Sequence, residues 1–297
     1  MKDFHGKVAA ITGAGSGIGR ALAVQLAEQG ADLALSDINV DGLTETVELA
    51  ERSGRKVTSE RLDVAHREAV FAWADEVVAK HGKVNLIFNN AGVALGATVE
   101  SMTYEDFEWL FNINFWGVVH GTKAFLPHLK AAGDGHIVNV SSVFGFIGVP
   151  SQSAYNAAKF AVRGFTEALR EELDVMRCGV SATCIHPGGI KTNIARDARM
   201  TDSVGDLGMQ VDSADRLDQA FITTPEKAAQ VILSGVQRNK RRVLIGPDAR
   251  GIDLMVRLLP SSYQRLLATG TRVGAVVEKR FGDRLNSRAA QRAEQSS

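Results

Sequence analysis

Short runs of consecutive apolar residues alternate along this chain with longer stretches in which apolar residues recur at three- and four-residue steps. The runs at 7–12, 32–36, 84–88, 136–140, 180–185 and 243–245, and one closing at Leu62-Asp63-Val64, predict short strands. The recurrent stretches predict helices at about 18–29, 40–52 and 104–129, one ending near His81, and one opened by Thr224-Pro225-Glu226. Gly30 and Gly82 stand where a left-handed residue stops a helix. A long helix, expected to be buried, opens at Tyr155 and carries Phe160, Ala161, Val162, Phe165, Ala168, Leu169, Leu173 and Met176 at helical spacing. Strand followed by helix, repeated, predicts an α/β fold with one doubly wound parallel sheet over residues 1–247. Residues 190–223 lack this periodicity and hold Gly, Asp and Met, the profile of a loop that covers a substrate.

Composition narrows the function classes. A chain of 297 residues with zero formal net charge gives no general reason to expect a nucleic-acid partner. Cys178 and Cys184 form neither a disulfide framework nor a metal spacing, so a reducing cytoplasm and no metal are expected. The sequence shows no apolar leader and no apolar span long enough for a membrane, which predicts a soluble protein.

The chemistry lies at strand ends. After the first strand come Gly13, Gly15, Gly17 and Gly19; strand, glycine turn and helix N-terminus together form a phosphate cradle. Alone, such a turn is as often a tight bend, and the spacing departs from G-x-G-x-x-G because Ile18 stands where the third glycine would fall. Asp37 closes the second strand, where a carboxylate accepts from both hydroxyls of an adenosine ribose. Ile38 and Asn39 supply no cation for a 2'-phosphate, so NAD is favoured over NADP. Asn89-Asn90-Ala91-Gly92 follows the fourth strand and suits close approach of a flat ligand, or simply a turn. Asn114 interrupts a long apolar helix, where a buried amide needs partners. Tyr155 and Lys159 lie one helical turn apart; a cation about 4 Å from a phenol, at an effective dielectric of about 20, lowers its pKa by about three units. That would make Tyr155 a general acid and base near neutrality.

Thr12 to Gly19, Asp37, Asp63, Asn89 to Gly92, Asn114, Ser142, Tyr155, Lys159, and Pro187-Gly188 with Thr192 together resemble the short-chain dehydrogenase/reductase family, over residues 5 to about 247. The resemblance implies a Rossmann-like fold, hydride transfer between a nicotinamide and a carbonyl or alcohol, and a homotetramer or dimer packed through the Asn114 and Tyr155 helices. It implies that Tyr155 moves the hydroxyl proton, Lys159 holds the nicotinamide ribose, Ser142 bonds the substrate oxygen, and Asn114 holds a water linking Lys159 to solvent. Ser141 is the competing serine, and the thirteen-residue gap to Tyr155 favours Ser142. For the cofactor it implies Gly13, Ser16, Gly17, Ile18 and Gly19 at the phosphates and Asp63 and Val64 at the adenine. Asn90, Ala91 and Gly92 would sit by the adenosine-side ribose, and Pro187, Gly188, Ile190 and Thr192 by the nicotinamide. An NAD-binding redox sensor without turnover is the alternative, and the complete proton-relay set argues against it.

The expected pocket lining is 93–99, 143–149 and the 190s loop, with Phe144, Phe146, Ile147 and Val149, which suggests an apolar secondary alcohol or ketone such as a steroid, an alicyclic or a lipid-derived compound. Residues 238–297 carry 13 Lys/Arg against 5 Asp/Glu, so +8 there balances −8 on the rest. Ile252, Met255, Val256 and Leu259 form an apolar stripe, and Pro260-Ser261-Ser262-Tyr263 restarts a short helix. Residues 248–285 are thus expected to be a helical extension that touches an anionic membrane, caps an active site, or packs on the acidic body. Residues 286–297 are expected to be disordered.

Overall fold

A computed structural model describes residues 1–194, 196–207 and 221–273. The elements, in order, are β1 (Val8–Thr12), α1 (Gly17–Glu28), β2 (Asp32–Asp37), α2 (Val40–Glu51), β3 (Val57–Arg61), α3 (Arg67–His81), β4 (Leu86–Asn89) and β5 (Leu95–Gly96). Then come α4 (Tyr104–Phe111), a π-helical turn (Asn112–Trp116), α5 (Gly117–Ala132), β6 (Gly135–Val140), a 3₁₀ turn (Val143–Gly145), α6 (Ser153–Met176) and β7 (Val180–Pro187). The last are β8 (Arg199–Met200), α7 (Pro225–Gln237), β9 (Arg242–Ile245) and α8 (Pro247–Leu258), and a further helix spans 262–273.

Seven strands form one parallel sheet in the order β3-β2-β1-β4-β6-β7-β9, so the chain reverses direction between β1 and β4. The period-two alternation of side chains builds a core on each face. Ala9, Ile11, Leu33, Leu35, Phe88 and Val138 meet Leu22 and Leu26 of α1, Leu43 of α2, and Ile232 and Val236 of α7. Val8, Ala10, Ala34, Ile87 and Ile137 meet Trp73 and Val77 of α3, Phe125 of α5, and Leu169 and Leu173 of α6. These are the three layers of a Rossmann-like fold.

Three details differ from the sequence expectation. The expected 104–129 helix is broken at Asn112–Trp116, because the Asn114 side chain takes up backbone groups of another segment. In α6, Phe160 and Met176 are exposed while Asn156, Lys159, Thr166 and Arg170 are buried, since the face turned to the sheet is set by the polar groups it must satisfy there. Asn89 is no turn residue: its amide donates to Thr122 Oγ1 (3.2 Å) and Asn139 Oδ1 (2.8 Å), and Asn139 donates to Thr166 Oγ1 (3.0 Å), a buried polar chain.

The described part of the extension folds back on its own chain. Ile252, Met255, Val256 and Leu267 pack on Phe146, Ile147 and buried Tyr263, whereas Leu259 of the expected stripe is 39% exposed. The remainder of the expected extension, 274–285, the tail 286–297 and residues 208–220 of the expected covering loop lie outside the described residues. Among the described residues no helix is long and apolar enough to cross a membrane, and no group of His, Cys, Asp or Glu is arranged to hold a metal.

Candidate active site

Every motif residue sits at the carboxyl edge of the sheet, because in parallel strands the chain always leaves from the same edge. At the β1–α1 turn, Gly13 and Gly17 have φ of +66° and +51°, which other residues rarely adopt. A Cβ on Gly13 would lie 2.7 Å from Ala91 Cα, and one on Gly19 2.0 Å from Gly13 O, so only bare backbone fits here. Asn90 staples the turn to β4: its amide donates to Thr12 O and Gly13 O, both at 3.0 Å, and Thr12 Oγ1 accepts from the backbone N–H of Asn90 and Ala91. The Asn90 side chain thus faces the turn and holds its shape.

Asp37 is aimed by backbone. Its Oδ2 accepts from Gly15 N and its Oδ1 from Asn39 N, both at 2.8 Å, which leaves further lone pairs free. The nearby cation, Arg20, is tied down through Gly15 O (2.6 Å), Gly42 O (3.1 Å), Glu45 Oε2 (2.8 Å) and Thr46 Oγ1 (3.0 Å). Asp63 accepts from Ala65 N at 2.9 Å just past β3, and Val64 is buried against Gly117. Ser16 is exposed at the N-cap of α1, with half-buried Ile18 two residues on, in the first turn. Beyond β7, Gly189 N donates to Asp248 Oδ2 (2.6 Å), Ile190 is buried and bridges to Thr223, and Thr192 Cγ2 lies 3.0 Å from where a Gly17 Cβ would stand. The loop after β7 therefore returns over the glycine turn. A Cβ on Gly188 would strike the Asp248 carboxylate. Bare glycines under a helix N-terminus, a carboxylate with free lone pairs at the next strand end, and a loop folding back over both fit a dinucleotide.

The expected catalytic residues gather where α6 crosses the ends of β6 and β7, beside the segment that follows β4. Asn114 is fully buried and holds Val93 at both ends, accepting from its N–H and donating to its carbonyl, each at 2.8 Å. Lys159 is buried, donates to Val140 O at 3.0 Å, and stands 5.5 Å from the Tyr155 ring centroid. The two serines have separate tasks. Ser141 Oγ donates to Lys159 O at 2.8 Å and anchors α6, while Ser142 Oγ accepts from Phe144 N at 3.1 Å on the side of Tyr155. Phe144 sets its ring edge-on to Tyr155, with centroids 5.9 Å apart.

The electrostatics depart from the sequence expectation. Burial pushes the Tyr155 hydroxyl up to about 12, partly offset by the Ser142 hydroxyl, and burial pulls Lys159 down to about 8. Lys159 does not lower the phenol here, since its ammonium lies over the ring and is turned to Val140 O. The apolar lining also shrinks: Phe146 and Ile147 are buried in the cluster with Tyr263, and the partly buried Phe144 and Val149 pack against that same cluster. Three contributors lay outside the sequence reading: Arg20, His186, whose Nδ1 lies 3.1 Å from Ser142 O, and Tyr263, whose hydroxyl accepts from Gly148 N at 3.3 Å. A polar ring at the end of an apolar strand, directly before Pro187-Gly188, was the one available signal.

His136 and His186 are buried and neutral; burial draws both to about 3 from the usual 6.5. Between those values the unfolded chain binds the extra protons, so stability rises with pH there and is lost as pH falls below about 6.5. Each histidine accounts for at most about 1.4 kcal/mol per pH unit. Unfolding in urea at pH 7, 6 and 5 should show midpoints falling at each step; a constant midpoint would refute the burial of neutral imidazoles.

Comparison with known proteins places this geometry among relatives. The short chain dehydrogenase family model matches residues 7–203. SadH of Mycobacterium tuberculosis, named as an oxidoreductase, is 55% identical over 271 residues, covering 91% of this chain and 97% of SadH. The C alpha-dehydrogenase of a Sphingobium strain is 35% identical, with 84% of each chain covered. A short chain dehydrogenase/reductase from Burkholderia phymatum, solved in complex with NAD, superposes with a TM-score of 0.82 at 32% identity, covering 90% of this chain and 97% of its own. Carveol dehydrogenase from Mycobacterium avium, also solved with NAD, superposes at 0.72 with 26% identity, over 82% of this chain and 97% of its own.

Proposed function

Because the chain belongs to the short-chain dehydrogenase family, and is an oxidoreductase on that ground, we propose that it interconverts a secondary alcohol and a ketone of an apolar small molecule, with NAD as cofactor. The observation that carries this reading is that Tyr155 has the Lys159 ammonium 5.5 Å from its ring centroid and sits edge-on to Phe144, whose N–H holds the Ser142 hydroxyl. NAD, when bound, supplies or removes the hydride. The glycine turn, Ser16, Ile18 and Asp37 would hold its adenosine end; Asp63 and Val64 would border the adenine side, Ala91 and Gly92 the ribose, and Pro187, Gly188, Ile190 and Thr192 the nicotinamide. Ser142, its lone pair held by Phe144 N–H, donates to the substrate oxygen and stabilises the charge that develops there. Tyr155 gives its proton to that oxygen in reduction and recovers one in oxidation. Lys159, cationic at neutral pH, would orient the nicotinamide ribose and would re-protonate the phenol through a water near Asn114.

NAD is favoured over NADP because Asp37 presents negative charge where a 2'-phosphate would lie, while Arg20 is engaged elsewhere. Phe144, partly buried and edge-on to Tyr155, supports an apolar substrate. Trp116 and Phe160, 45% and 41% exposed beside the Asn114 and Tyr155 helices, support association of copies through those helices. The test is NADH and NADPH oxidation against ketones running from small polar ketols to alicyclic and steroid compounds. Turnover with NADH on the apolar members is expected, at least about tenfold faster than with NADPH, with the gap narrowed in Asp37→Ser. Absence of NADH binding would defeat the proposal.

A further inference from the structure

Ser142 is held at two atoms. The hydrogen bond from Phe144 N fixes its Oγ, and His186 on β7 reaches its carbonyl oxygen, with Nδ1 at 3.1 Å. A carbonyl can only accept, so Nδ1 of a neutral ring carries the proton and Nε2 the lone pair. His186 is fully buried and Nε2 has no hydrogen-bond partner among the described residues. An apolar side chain of the same shape would fill this space without a stranded acceptor. A ring that uses one nitrogen and wastes the other, at the back of the reacting serine, points to a task for the first.

The surroundings fix the ring in place. Its face lies on Phe146, with centroids 4.3 Å apart and planes inclined by 34°. The guanidinium groups of Arg163 and Arg242 lie 5.0 and 4.7 Å from the Phe146 centroid. Arg242 is ion-paired with Asp253 of α8, which also binds Arg257 at 3.1 Å. The C-terminal extension thereby closes the stack from outside, and the cations around Phe146 disfavour a charged imidazole.

We propose that His186 is a positioning residue: by donating Nδ1–H to the Ser142 carbonyl it fixes the peptide that begins the Val143–Gly145 turn, and so aims the Ser142 hydroxyl at the substrate oxygen. This rests on the reading of Ser142 as the donor to that oxygen. The asparagine amide N–H can take the place of Nδ1–H, and leucine cannot donate, so His186→Asn and His186→Leu separate the bond from the bulk. His186→Leu is expected to lose about tenfold in kcat, with the Kd for NADH unchanged and thermal stability no lower than that of His186→Asn. His186→Asn is expected to recover most of the rate. Nitrogen-15 shifts of the wild-type imidazole should report the Nδ1–H tautomer. Equal rates in His186→Leu and wild type, equal losses in both variants, or an Nε2–H tautomer would each overturn the proposal. Ser142→Ala, measured alongside, separates the two levels: an undiminished rate removes Ser142 from the reaction and this inference with it. A lost Ser142→Ala rate beside an intact His186→Leu rate overturns the positioning alone.

Discussion

Tyr155→Phe lowers turnover by about three orders of magnitude, the scale expected when a positioned general acid is removed, and leaves NADH binding within about twofold. The change removes one oxygen and nothing else: the ring keeps its edge contact with Phe144 and its place in α6. What it loses is the proposed proton donor. With the phenol held up near 12 by burial, the group stays protonated at neutral pH, as the proposed general acid must. Single-turnover reduction followed by NADH absorbance, with NADH affinity from fluorescence titration, checks both halves. Retention of the wild-type rate would take Tyr155 out of the mechanism.

Lys159→Met abolishes turnover and stabilises the protein when measured without cofactor. The ammonium is 3% exposed, and burial draws its pKa from the usual 10.5 to about 8. Between these values the unfolded chain binds the proton more tightly, so stability rises with pH across that window, and at neutral pH the buried charge costs about 3 kcal/mol. Removing the donor to Val140 O returns about 1–2 kcal/mol of that gain, which leaves a net stabilisation of about 1–2 kcal/mol and a Tm higher by several degrees. The same comparison above pH 10.5 should show the advantage gone, because the wild-type amine is then neutral in both states. A lower Tm for the variant at pH 7 would mean that the ammonium supports the fold. A stable but inactive variant is the mark of a charge kept for function.

The pattern of apolar positions was enough to place the inner strands of the main sheet within a few residues, because a strand buried on both faces has no other way to be written, whereas edge strand β3, Val-Thr-Ser-Glu-Arg and largely exposed, ends just before the expected Leu62-Asp63-Val64. The glycine turn was equally readable, since only a residue without Cβ survives 2.7 Å from Ala91 Cα. Asp37 and the spacing of Tyr155 to Lys159 are local facts, and local facts are legible. The division of labour between Ser141 and Ser142 was not. Adjacent residues at a strand end point to opposite sides, and which side holds α6 depends on the crossover. The break at Asn114 was suggested by propensity, but its partner Val93 lies twenty-one residues away. The apolar 143–149 segment looked like pocket lining until Tyr263, more than a hundred residues on, proved to be what covers Phe146 and Ile147.

The pKa expectation failed for a related reason. Two residues one helical turn apart are near neighbours in any helix, so proximity of Tyr155 and Lys159 was assured. Which atom of one faces which atom of the other, and how much water remains between them, belongs to the surrounding elements. By itself the chain determined which residues would come to the sheet's carboxyl edge, because periodicity and backbone freedom are encoded position by position. Tertiary structure alone decided what each of them faces there, since burial and hydrogen-bond partners arise between segments that no spacing along the chain relates.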